Sequence, residues 1–366
     1  MRIGIDLRMT GGGSGIDRYI TELSQEILKQ DQAHEFVLFF KDAQQAEKYK
    51  SLGKKSVITG VSHYSLAEQW KLPGILRKEK LDLVHFPHFN VPILYNRPFV
   101  VTIHDLTHTI FPGRKKSHFF HRLAYHMVFN AAVMKSKKII AVSQSTKSQI
   151  LDHFGVNPDK ITVVYEGFNE TYKMIDKDAA FAQVSNRFAI NKPYILYVGV
   201  WRRYKNLPLL AKAFDKLVDK GQNLELVLVG SKDPYYPEIE QQVFSIKNKE
   251  RLKAVGRVSD EELNLLQNGA KLFVLPSLME GFGLTALEAA ATGTPIACSD
   301  IPTLREILGQ GAEYFDPNNL ENMIDVLNNL LNNDKRLEEL ANLALSRSKH
   351  FSWKDAAQKT LEVYTK

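Results

Sequence analysis

The stretch that most constrains this chain runs from Pro276 to Cys298, Pro-Ser-Leu-Met-Glu-Gly-Phe-Gly-Leu-Thr-Ala-Leu-Glu-Ala-Ala-Ala-Thr-Gly-Thr-Pro-Ile-Ala-Cys. Lys271 to Leu275 before it, and Pro295 to Cys298 at its end, are short apolar runs that read as buried strands. Between them, Gly281 and Gly283 permit backbone angles that a side chain forbids. Leu284 to Ala291 is made of strong helix formers and is closed by Gly293 and Pro295. A strand, a glycine loop and a helix N-terminus in that order place free backbone amides of Gly283, Leu284 and Thr285 at the positive end of a helix dipole, an anion site suited to phosphate.

Two carboxylates flank that site, Glu280 just outside the helix and Glu288 one to two turns within it. Carboxylates only accept hydrogen bonds, so the pair suits a ligand with hydroxyls on both sides of a phosphate, as in ribose, diphosphate, hexose. Taken alone, the pair also fits a solvated helix residue and an ordinary N-terminal charge. The spacing and the Gly281-Phe282-Gly283 insert resemble the Glu-x7-Glu signature of the family-four glycosyltransferases, and the following Gly-Thr-Pro fits the same pattern. The resemblance implies the GT-B fold: α/β, two Rossmann-like doubly wound domains facing across a cleft.

A chain of 366 residues is long enough for two domains with their own cores, and 44% hydrophobic with 24% charged residues is a globular composition. The lone Cys298 excludes an internal disulfide and follows an apolar strand, so it reads as packing. No signal-peptide pattern precedes the first strand and no apolar run is long enough to span a membrane, so a cytoplasmic protein is expected. A formal charge of +7 favours anionic partners without choosing among them.

The chain opens with a strand at Ile3 to Leu7, a loop Thr10-Gly-Gly-Gly-Ser-Gly15 and an amphipathic helix ending near Gln30. The loop lacks the third glycine of a dinucleotide fingerprint. It resembles the family's glycine-rich loop over the donor, which implicates Gly13, Ser14 and Gly15. Strand-like runs at Glu35 to Phe40, Ser56 to Ile58, Leu81 to Phe86, Phe99 to His104 and Lys138 to Val142 alternate with helical stretches, including Gln69 to Lys80, and argue for a parallel sheet. Ser143 or Ser145 fits an N-cap before a helix stopped by Gly155.

His104 and His108 invite a metal reading, but they leave a strand rather than share a helix face, and no metal is expected. In the family a histidine in such a His-Asp segment contacts the donor sugar, and His104 takes that place, with capping or packing as the alternative. The basic, aromatic stretch 114–130 (Arg114, Lys115, Lys116, then Phe119, Phe120, Leu123, Tyr125, Met127, Val128 and Phe129) fits either an anionic membrane face or a helix packed within the first domain, slightly favouring packing.

Tyr194 to Val198 opens a second strand, Gly199 and helix plan, with Arg202, Arg203 and Lys205 between strand and helix. The family places an arginine and a lysine there on the diphosphate. Lys205 matches the lysine; Val200 and Trp201 stand where some members carry the arginine, so Arg202 and Arg203 compete and Arg203 is preferred. Val255-Gly-Arg-Val258 resembles the base-binding segment, with Arg257 and Val258 as contacts. Ser259 to Glu262 reads as a capping box. The implied domains are 1–170 for the acceptor, joined by the terminal helix at 351–366, then an interdomain segment 171–191, then 192–350 for the nucleotide sugar.

The resemblance implies a retaining, metal-independent transferase without a cofactor, moving a hexose, mannose by the look of the loops, from a GDP- or UDP-sugar to a glycan or lipid-linked acceptor in polysaccharide assembly. His104, Lys205, Arg203 and Glu280 are the implied catalytic residues. Donor contacts would come from Gly13, Ser14, Gly15, Arg202, Arg257, Val258, Gly281, Phe282, Gly283, Leu284, Thr285 and Glu288. A nucleotide-sugar epimerase and a non-catalytic sugar-nucleotide binder are the alternatives. Nucleic acid is not expected, since neither a base-stacking sheet motif nor a basic recognition helix stands out.

Overall fold

A computed structural model describes residues 1–13, 15–111 and 119–366. Ser14, Arg114, Lys115 and Lys116 lie outside the described residues, as do the side chains of His108, Phe119 and Phe120. The chain forms two compact units: Met1–Gly167 with Ser352–Lys366, and Phe168–Phe351.

The first unit is a seven-stranded parallel sheet. Its strands are β1 (Arg2–Asp6), β2 (Glu35–Phe40), β3 (Lys55–Ile58), β4 (Leu83–Phe86), β5 (Phe99–Ile103), β6 (Lys138–Ala141) and β7 (Ile161–Val163). The spatial order β3-β2-β1-β4-β5-β6-β7 runs outward one way from β1 and the other way from β4, so the direction of winding reverses between these two strands. Ligands of such sheets meet the carboxyl ends of the strands beside that reversal. Near-continuous apolar runs such as Phe36 to Phe40, all at most 1% exposed, suit strands covered on both faces. One cover is α1 (Gly15–Gln30), whose Tyr19, Ile20, Leu23, Ile27 and Leu28 recur at helical spacing and are buried.

The helix expected from Gln69 is α3 (Leu66–Lys78), a turn earlier, because Ser65 caps it by accepting from the Glu68 amide; a five-residue helix, α2 (Ala43–Glu47), precedes it. After β5 come α4 (Thr107–Ile110) and α5 (Phe119–Lys135). Within α5, Tyr125 and Phe129 are buried against Phe89, whereas Leu123, Met127 and Met134 are exposed. Among the described residues, the apolar side chains of this helix therefore divide, with Tyr125 and Phe129 serving the core. Ser143 is the N-cap of α6 (Gln144–Phe154), accepting from the Thr146 amide, and Gly155 ends the helix at φ 60°.

The second unit carries a six-stranded parallel sheet of order β10-β9-β8-β11-β12-β13. It comprises β8 (Tyr194–Val198), β9 (Glu225–Val229), β10 (Leu252–Gly256), β11 (Leu272–Leu275), β12 (Ile296–Ser299) and β13 (Glu313–Phe315). Its reversal lies between β8 and β11. Residues 168–191 group with this unit, and the physical reason is visible. The amides of Lys173 and Ile175 donate to the side chains of Asn264 and Asn268 on α10 (Asp260–Asn268), while α7 (Lys177–Phe188) buries Ala180 and Val184. The Ser259/Glu262 capping box is formed in both directions. Cys298 is buried, where burial pushes its thiol pKa well above the ordinary range.

Helices α8 (Leu207–Asp219), α9 (Pro237–Val243), α11 (Leu284–Ala291), α12 (Pro302–Leu308), α13 (Leu320–Leu331) and α14 (Asp334–Ser348) complete the second unit. The final helix, α15 (Trp353–Thr365), packs on α1 in the first. Among the described residues, no helix is long and apolar enough to cross a membrane.

Candidate functional site

In the second unit, the loops leaving β8 and β11 stand on either side of the reversal. Asn206, at φ 55°, turns the chain from a short helical turn at Arg203–Lys205 into α8, and the Leu278 amide donates to the Tyr204 carbonyl at 2.7 Å, joining the two loops. Across that join, Lys205 Nζ donates to Glu280 Oε1 at 2.7 Å, and Ser277 Oγ donates to the same oxygen at 2.6 Å. Both charged side chains are mostly buried, which strengthens their attraction relative to a surface pair. Thr303 Oγ1 donates to the Glu280 carbonyl at 2.9 Å, fixing the approach to α11.

Gly283 is the N-cap of α11 at φ 92°, and a Cβ there would stand 2.9 Å from Leu304 Cδ2. The left-handed angle and the close leucine both call for glycine. It turns the chain so that α11 starts beside the Lys205–Glu280 pair. Phe282 is buried and edge-on to Phe351, anchoring the loop, with Gly281 preceding it. Leu284 and Thr285 open the helix, and Glu288 lies one turn further in, fully buried on its inner face. Burial of Glu288 sets aside the solvated-helix reading of that residue.

The competing arginines separate. Arg202 Nε donates to Asp233 at 2.7 Å, while the more exposed Arg203 reaches Glu238 at 3.1 Å and lies over Tyr236. Arg257 is exposed and Val258 partly buried, both just past the end of β10.

In the first unit the glycine loop after β1 is tied to α1: the amides of Gly11 and Gly13 donate to Asp17 at 2.8 and 2.7 Å, and Gly15 begins the helix. His104, just past β5, is held on three sides. Its Nε2 is 2.9 Å from the Pro87 carbonyl, its Nδ1 is 3.4 Å from Glu166 Oε1, and the Tyr19 ring stands edge-on at 4.5 Å. Burial disfavours a charge on His104, but Glu166 and the Pro87 carbonyl outweigh it and hold its pKa above the ordinary 6.5. Burial likewise raises Glu166 above the ordinary 4.5, against the pull of His104. The pair therefore keeps a proton that separated groups would release.

Glu166 is the partner that the sequence did not signal, because it stands 62 residues from His104 in an unremarkable exit loop. Near His104, His85 sits between Tyr364 and Thr102 at 2.7 and 2.9 Å, and burial, then His104, push its pKa down to about 3. Among the described residues, no group of three or more His, Cys, Asp or Glu side chains is placed to hold a metal ion.

Comparison with known proteins bears on the family and the fold. The family model described as Glycosyl transferases group 1 matches residues 179–347, and that of Glycosyltransferase Family 4 matches residues 13–172. The chain is 27% identical over 248 residues to the O-antigen chain mannosyltransferase RfbU of Salmonella typhimurium, covering 68% of this chain and 64% of that protein. It is also 27% identical over 307 residues to O-antigen chain mannosyltransferase B of Escherichia coli, covering 83% of this chain and 79% of the relative. The chain thus spans less than two thirds of the Salmonella protein. In fold it is similar to Anabaena HepE, solved in complex with UDP-glucose, with a TM-score of 0.79 at 16% identity over 100% of this chain and 99% of that one. With two Rossmann-like parallel sheets, a glycine-capped helix at the second reversal and matches to both halves, the chain belongs to the family-four glycosyltransferases of GT-B fold, among relatives that include bacterial mannosyltransferases.

Proposed function

We infer that the chain is a retaining, metal-independent glycosyltransferase that moves a hexose, mannose, from a GDP- or UDP-sugar to a glycan or lipid-linked acceptor in polysaccharide assembly. The observation that carries this reading is the Lys205–Glu280 pair at the start of α11, beside the β8/β11 reversal. A nucleotide sugar asks for cationic and amide donors at its diphosphate and for carboxylates at its hydroxyls, and this place offers both. Lys205 and the first amides of α11 neutralise the charge developing on the departing diphosphate. Glu280 orients the sugar and Glu288 accepts from ribose. Mannose follows the two relatives named as mannosyltransferases.

Of the two arginines, Arg203 is the diphosphate ligand: its pairing with Glu238 is solvent-exposed and so readily exchanged for phosphate, while the Arg202 partner Asp233 is buried. Arg257 and Val258 contact the base, and Gly13 and Gly15, with Ser14 of the same loop lying outside the described residues, are donor contacts by the family resemblance. His104, fixed by Glu166 and Pro87, contacts the donor sugar. Retention follows the family, in which the leaving phosphate is described as taking the acceptor proton. The exposed Leu123, Met127 and Met134 of α5, with exposed Arg122 and Lys135 on the same helix, support peripheral contact with an anionic membrane from the cytoplasmic side.

The test is a thermal-shift screen against nucleoside diphosphates and their sugars, with and without magnesium, followed by turnover with the stabilising donor. Stabilisation by one nucleotide series without metal, and release of that nucleotide on adding acceptor, are expected. No shift with any of them would reject the reading.

A further inference from the structure

The β1/β4 reversal of the first unit carries a group of side chains that the proposed function leaves unused. Arg8, just past β1, is 1% exposed. Its guanidinium donates to both oxygens of Asp6 at 2.8 and 2.7 Å and to Glu68 Oε1 at 2.6 Å. Glu68, fully buried at the start of α3, accepts at Oε2 from Asn90 Nδ2 at 2.6 Å and from the Tyr64 amide at 3.0 Å. Apolar residues of similar volume often serve stability as well as a buried ion cluster does. What this cluster adds is position: it ties the end of β1, the loop after β4 and the β3–α3 loop to one another.

The residue held out by that last loop is Tyr64. Its φ is 58°, a left-handed conformation uncommon for a residue with a bulky side chain, and it is 52% exposed. Its ring stands edge-on to His88 at 6.0 Å and to His63 at 5.3 Å. His88 is buried and accepts from the Asn90 amide at Nδ1 (3.2 Å), which leaves Nε2 to carry the hydrogen, 3.5 Å from the Tyr64 hydroxyl. His63 has its pKa lowered by burial, then by Arg8, so its imidazole is neutral near pH 7; its buried Nδ1 has no hydrogen-bond partner among the described residues. The His88 ring in turn stacks with His104 at 6.1 Å.

Backbone strain collects where a fold holds a side chain for use. Here a tyrosine face, rimmed by uncharged imidazoles, is displayed at the sheet reversal where ligands of such folds bind. Among the described residues the guanidinium of the cluster is already shared by two carboxylates, so the cluster itself lends no charge to a ligand at this place, and Lys41 is a further cation that acts on His63. A neutral ring with one C–H face and a rim of hydroxyls fits it: the C–H face on the aromatic face, the hydroxyls on imidazole nitrogens. We propose that Tyr64 is the stacking platform for the terminal pyranose of a glycan acceptor, with His63 and His88 contacting its hydroxyls. The word acceptor rests on the transferase reading; the sugar site does not.

The experiment is saturation-transfer NMR on the full chain with the methyl α-pyranosides of mannose, glucose, galactose and N-acetylglucosamine, comparing Tyr64→Gly and Tyr64→Phe. Glycine accepts the left-handed angle without strain, so Tyr64→Gly keeps or raises the melting temperature. Binding of at least one glycoside to the unmodified chain is expected, weakened about tenfold or more in Tyr64→Gly and held within about twofold in Tyr64→Phe. Unchanged binding by Tyr64→Gly overturns the proposal. So does failure of all four glycosides to contact the unmodified chain, or a Tyr64→Gly chain that cannot fold, which would make the ring a stability element. Nucleoside-diphosphate thermal shifts, read in the same samples, are scored separately: their absence from the unmodified chain rejects the transferase reading and leaves the glycoside result standing by itself.

Discussion

The carboxyl ends beside β1/β4 and beside β8/β11 occupy the same topological place in two sheets wound to the same plan, yet they are furnished for different chemistry. Over β8/β11 stand a lysine, a glycine-capped helix N-terminus and carboxylates, with Lys205 and Glu280 paired across the two loops and Arg202 and Arg203 paired with Asp233 and Glu238. Over β1/β4 the charges are consumed internally, Arg8 between Asp6 and Glu68, and what faces outward is a tyrosine with neutral imidazoles about it. Winding fixes where a ligand meets the sheet, and the groups carried there select what kind of ligand it is.

The sharpest way to break this contrast is to remove one member of each charge group. Arg8→Ala leaves Asp6 and Glu68 buried without their cation, and a loss of about 3–5 kcal/mol of stability is expected by denaturant titration. A loss below about 1 kcal/mol would mean that the cluster does not hold the first unit's loops. Lys205→Ala also leaves a mostly buried Glu280 without its cation and is expected to cost about 1–3 kcal/mol; what sets it apart is a fall in kcat of about 10²–10³, the scale of one preorganised donor at a developing charge. Unchanged turnover would remove Lys205 from the chemistry.

Gly283→Ala sharpens the second half of the contrast. The positive φ and the close Leu304 methyl together predict a stability loss of about 1–2 kcal/mol and weaker nucleoside-diphosphate binding in the same variant. Loss of stability with undiminished binding would show that the start of α11 does not hold the phosphates.

The smallest effect is titrational. Both His104 and Glu166 have folded-state pKa values raised above their ordinary 6.5 and 4.5, so the folded pair binds more protons than the unfolded one. That contribution is fully present below the unfolded values and is lost as pH rises through the folded ones, from about 4.5 to beyond about 6.5. Stability of the parent chain should therefore fall with rising pH over that window relative to Glu166→Gln. Parallel pH profiles for the two proteins would discount the pair.

Elements whose cause is local were legible in the sequence. Glu35 to Phe40 was delimited to the residue by its apolar pattern, and Ser259 with Glu262 declared its own helix start. The strand Glu313–Phe315 was not anticipated, since three residues after Gly311 show no period, and its place is set by pairing with β12. The candidate donor residues from Glu280 to Glu288 could be read because loop and helix are contiguous. Arg8 with Glu68, and His104 with Glu166, could not: their partners are 60 and 62 residues apart and meet only when the sheet is wound. Tyr64 was likewise silent, because nothing in Ser-His-Tyr-Ser announces a left-handed tyrosine.

The return of α15 to the first unit bears on how the chain is made. Tyr364 donates to or accepts from His85, Trp353 lies edge-on to Tyr19, and the backbone at Trp353 comes so close to Gly167 that a Cβ there would stand 2.2 Å from its nitrogen. During synthesis from the N-terminus, the first sheet thus emerges early but lacks this cover until residues 352–366 have left the ribosome as well. The second unit, contiguous from Phe168 to Phe351, has all of its parts sooner. The half that is translated first is the half completed last, and in the interval its uncovered face is the one that chaperones would be called upon to shield.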